Sequence, residues 1–200
     1  MTTFADMQAL VREITKRQEL VGIIDGAIRM ATIRAHNVDF FKRDRAIKPL
    51  TYSIPPSESV WVDIANISTA LPRLRAFEKV YSVDQATLTP VEELTLTNQF
   101  FDQTNTLKWH VFDLIGDTLR VRAQRVTGRF DVYYYQNPDV TSAAYFSWIA
   151  NEFPEEVAYW AAGIVWARTG NVEQARITQE QHVMPFKDLL VATFLLNSVV

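Results

Sequence analysis

Few residues in this chain are of types that do chemistry, and they are scattered. Of three histidines, His36 falls at a helix end, His110 in a strand-like segment and His182 in a late helix. A metal site of the HExxH kind needs ligands at short fixed spacing, and none of the three has an acidic or histidine partner placed that way. Glu92-Glu93 and Glu155-Glu156 are adjacent carboxylates, but neighbours on a strand or helix point apart, so neither pair is poised for acid–base work. Ser147 lacks the GxSxG turn that exposes a nucleophile, and the six glycines form no phosphate-cradling cluster. With no cysteine, thiol chemistry, disulfides and cysteine-based zinc sites are excluded. The pattern predicts neither a catalytic centre nor a cofactor or metal site.

Charge and aromatic content are more informative. The net charge of −3 does not favour wrapping a polyanion. It is unevenly spread, with 17 Lys+Arg against 15 Asp+Glu from Met1 to Arg129 (+2) and 3 against 8 from Phe130 to Val200 (−5). Arg29, Arg34, Lys42, Arg43, Arg45 and Lys48 have only Asp39 and Asp44 as nearby acids. Such a cluster is read either as a patch for phosphate or an acidic neighbour or as a solvated helix end and loop. Tyr133, Tyr134, Tyr135, Tyr145, Phe146, Trp148, Phe153, Tyr159, Trp160 and Trp166 crowd one stretch accompanied by a single cation, Arg168. A strand-binding groove needs cations beside its rings, so these rings predict core. The run Leu189 to Leu196 is apolar on nearly every side, which predicts burial in the core or against another protein.

The elements that must position these residues follow from periodicity. Thr2 or Thr3 can cap a first helix with Asp6, and a second runs from Gln18 with Leu20, Val21, Ile24, Ile28, Ala31 and Ala35 on one stripe, ending near His36-Asn37. Phe40 and Phe41 then plug the junction to the strands. From Ala46 to Gln136 the period changes to two, punctuated by Pro49, Pro55-Pro56, Pro72, Pro90, Gly116 and Gly128. Leu119, Val121 and Ala123, and Phe130, Val132 and Tyr134, alternate with wetter residues, and a hairpin through Val126 to Gly128 is expected between them. Five or six strands in a small antiparallel sheet or sandwich are predicted. Pro154 opens a helix with Glu155 and Glu156 in its first turn, Gly170-Asn171 ends it, and Pro185 must kink or split the last helix. No run approaches the roughly 18 apolar residues of a membrane span, and Met1 to Leu10 lacks the pattern of a signal peptide.

This order of segments resembles the head-to-tail adaptor (connector) proteins of tailed bacteriophages. The resemblance is carried by the aromatic junction Val38-Asp39-Phe40-Phe41, the strand Tyr52-Ser53-Ile54-Pro55, the segment Leu74 to Asp84, the strand pair Phe112 to Val121, the aromatic strand ending in Asn137-Pro138, and the helices starting at Ser147-Trp148 and Pro154. It implies an α+β fold in which N-terminal helices (1–45) and C-terminal helices (139–200) form a helical bundle with an inserted antiparallel β subdomain (46–138). It also implies a structural virion protein without enzymatic activity, assembled in the bacterial cytoplasm. In that role copies form a ring, usually twelve-fold, under the portal protein, extend the channel through which packaged DNA passes, and dock a neck or tail protein below.

Phe186, Leu189, Leu190, Phe194 and Leu195 are then the expected contacts with the portal or a neighbouring subunit, because family members commonly reach the portal through their C-terminal segments. The charge split suits ring copies meeting through two different surfaces. Two rival readings remain open on the residues alone. One is a small-molecule-binding or enzymatic α+β domain with a pocket around Trp61, Trp109 and Trp148. The other is a non-specific DNA-binding protein using Arg29 to Lys48.

Overall fold

The computed structural model describes residues 1–53, 61–84, 86–96, 111–122 and 127–197. The chain divides into two compact units, Met1–Asp44 with Asn137–Val200, and Arg45–Gln136.

The first unit is helical. Helix α1 (Phe4–Thr15) starts at Thr3, whose hydroxyl accepts the Asp6 N–H while the Asp6 carboxylate accepts the Thr3 N–H, a reciprocal capping box. Helix α2 (Val21–His36) buries Ile24, Ile28, Ala31 and Ala35 of the predicted stripe, together with Ala27, whereas Val21 at its first position is 45% exposed and Leu20 precedes the helix. A single 3-10 turn (Lys42–Asp44) closes this first stretch. After the sheet, Ser147 caps the short helix α4 (Trp148–Glu152) and Pro154 opens α5 (Pro154–Arg168); α3 is a four-residue helix (Ile67–Ala70) of the other unit. Gly170, at φ +81°, lets the chain leave α5, and Asn171 caps α6 (Val172–Thr178). The predicted break at Pro185 takes the form of a π-helical segment (Gln179–Val183) leading into α7 (Met184–Asn197). Widening the turn ahead of Pro185 accommodates a residue that cannot donate an i→i−4 bond.

Helices α1 and α2 both pack on α5. Alanines on the facing sides, Ala27, Ala31 and Ala35 against Ala158 and Ala161, allow close approach, and Met7, Ile24, Ile149 and Leu190 fill the space between. Each such large side chain contributes roughly 1.5–3 kcal/mol by leaving water.

The second unit overturns the expected helical bundle with a small antiparallel insertion. It is one seven-stranded mixed sheet, ordered β1-β7-β3-β4-β5-β6-β2, from β1 (Arg45–Ser53), β2 (Trp61–Asn66), β3 (Leu74–Val83), β4 (Pro90–Leu96), β5 (Val111–Ile115), β6 (Thr118–Arg122) and β7 (Thr127–Gln136). Strands β4 and β5 run parallel, with Thr95 opposite Val111 and Leu96 opposite Phe112. A parallel pair needs a connection of about a dozen residues or more, which 97–110, outside the described residues, supply in length. The terminal strands β1 and β2 approach each other, so the sheet nearly closes into a barrel. The expected hairpin between β6 and β7 is absent: β6 lies between β5 and β2, and β7 between β1 and β3. Alternation predicts strands and their faces, but it carries no information on which strand lies beside which, and near-closure separates these two.

Within the sheet the predicted core face of β7 holds, but Asp131 and Arg122, expected on the wetter faces of β7 and β6, are each only 7% exposed. Phe130, Val132 and Tyr134 of β7 point into a core with Val80, Leu94, Leu119 and Val121, while Tyr133 and Tyr135 stay half-exposed. Tyr52 stacks on Phe130 at 5.0 Å and crosses Gly128, where a Cβ would collide with its ring.

Candidate functional site

The densest polar constellation is buried in the helical unit. His36 Nδ1 lies 2.8 Å from Asp44 Oδ1, and His36 Nε2 lies 2.9 Å from Ser147 Oγ. Trp148 Nε1–H also donates to Asp44 Oδ1 at 2.8 Å, and the Ala150 N–H donates to Ser147 Oγ at 3.0 Å. With Asp44 ionised and His36 neutral, every proton is placed: Trp148 and His36 donate to the carboxylate, Ser147 donates to His36, and Ala150 donates to Ser147. The connectivity is that of a Ser-His-Asp triad. Its position is not, because Ser147 is 1% and His36 2% exposed and the serine oxygen is occupied as a helix cap, so no substrate reaches it. What the arrangement does is join the end of α2, the 3-10 turn and the start of α4, with Phe41 and His36 packed edge-on against Trp148.

Sequence reasoning missed this site because its members lie 8 and 111 positions apart, where no short motif reaches. The one local signal was Ser147 three residues before Ala150, a cap position. His182, the other described histidine, stacks on Tyr159 with ring centroids 3.7 Å apart and its Nδ1 3.9 Å from Glu156 Oε2. His110 lies outside the described residues. Among the described residues no group of three or more His, Cys, Asp or Glu is arranged to hold a metal.

The predicted contact residues of the C-terminus separate. Phe186 and Leu190 are 2% and 0% exposed and belong to the core of the helical unit, Phe186 packing on Phe153 and Trp160. Leu189 points outward, as do Met184 and Val191, which were not singled out. Of the Phe194 and Leu195 side chains nothing is described.

The predicted basic cluster also separates. Arg29, Arg34, Lys42 and Arg43 are exposed on the helical unit; Arg45 and Lys48 are exposed on β1 of the sheet. Arg29 lies over the Phe4 ring, and Arg43 lies over Trp148 and pairs with Glu152. Arg45 pairs with Glu78 at 2.5 Å and lies over Tyr133. The sheet thus sets a cation from β1 over Tyr133, in addition to Arg129 of β7 itself, which pairs with Asp131.

The pocket expected around three tryptophans is not assembled by what is described. Trp148 packs inside the helical unit, the Trp61 side chain and Trp109 are outside the described residues, and an open depression of about 440 Å³ lies elsewhere, against α1, between Thr2, Asp6, Leu10, Glu13 and Pro154. No helix among the described residues is long and apolar enough to cross a membrane. No family model matches the chain, and no curated protein matches it.

Proposed function

We propose that this protein is a head-to-tail adaptor of a tailed bacteriophage, a structural subunit of the virion neck. Copies form a ring beneath the portal protein, extend the channel for packaged DNA and dock the next neck or tail protein. The observation that carries the reading is the outward side of α7. Met184 and Val191, seven positions apart and so on one side of the helix, are 55% and 38% exposed, and Leu189, about 150° round the helix from them, is 46% exposed, while Phe186 and Leu190 anchor the same helix to its own core. A firmly held helix with large apolar side chains facing water is a surface made to be covered. The order of segments along the chain and the modest net charge, which does not oppose association, support the same reading.

Negative-stain imaging of portal particles mixed with the purified protein tests it. Rings added at the portal vertex are expected from the wild type, and portals left bare by Leu189→Glu. A wild-type protein that leaves portals bare, or a Leu189→Glu protein that decorates them fully, defeats the proposal.

A further inference from the structure

We draw no further inference here: the strongest candidate, the face of β3 and β7 turned away from the core, where Tyr81 and Tyr133 meet edge to face beside Arg45, carries nothing because the cations around its rings are already paired, Arg45 with Glu78, Lys79 with Glu93 and Arg129 with Asp131, and nothing in the structure shows what covers it.

Discussion

The His36 imidazole and the Ser147 hydroxyl, 111 positions apart, meet at 2.9 Å inside the helical unit. The bond couples the segment that leads into the sheet to the segment that follows it. Asp44, its third member, is the last residue before the sheet begins. Because all three are buried, removing one strands the other two away from water.

His36→Ala is therefore expected to destabilise the protein by about 2–4 kcal/mol, and Ser147→Ala by about 1–2 kcal/mol through loss of both the histidine contact and the cap. Urea unfolding followed through tryptophan fluorescence measures both. Losses below about 0.5 kcal/mol, the range of inert surface changes, would show that the network contributes nothing to the fold.

On α7, burial and exposure assign different roles to consecutive turns. Phe186→Ala should cost about 3–5 kcal/mol because it empties a core site against Phe153 and Trp160. Leu189→Glu should leave stability within about 0.5 kcal/mol while abolishing portal attachment. Thermal melts beside the decoration assay separate the two, and equal melting losses would place Leu189 in the core instead. Cutting the chain after Met184 removes Phe186 and Leu190 from the core, so the shortened protein is expected to unfold.

The acidic limb of stability should bear the mark of Asp6. The Thr3 backbone N–H and then the Thr3 hydroxyl hold its carboxyl below the usual aspartate range. A depressed folded-state value means that the contribution is complete above the unfolded-state value, about 4, and is lost as the pH falls through the lower folded value. Protection of the amides at the start of α1, taken against the intrinsic exchange rate at each pH, should fall over that window in the wild type and be lower but flat with pH in Asp6→Asn. An unchanged profile in the variant would contradict the capping role.

At the alkaline end Tyr145 is the group to watch. Burial pushes its hydroxyl above the ordinary tyrosine range, partly opposed by the hydrogen bond with Thr32 at 2.9 Å. Its contribution is fully present below the unfolded-state value, near 10, and fades as the pH rises through the higher folded one. Tyr145→Phe should lose about 1 kcal/mol at neutral pH and decline less steeply above pH 10 in denaturation curves. A parallel decline would assign the alkaline limb to another group.

The sequence alone determined what local periodicity encodes. Thr3 with Asp6, Pro154, Gly170 and Asn171 delimit helices because the orphan backbone groups at helix ends need partners that lie a few residues away. The alternation of Phe130, Val132 and Tyr134 against Tyr133 and Tyr135 fixes the buried face of β7 because successive strand side chains point to opposite sides. The tertiary structure decided everything that depends on distant partners. It placed β5 parallel to β4 and parted β6 from β7, since strand neighbours are chosen by the closure of a whole sheet rather than by any one strand. It assembled Ser147, His36 and Asp44, which no spacing rule connects. It also divided α7 between Phe186 and Leu190 inside and Leu189 outside, because an all-round apolar sequence does not say which side of the helix its own unit covers.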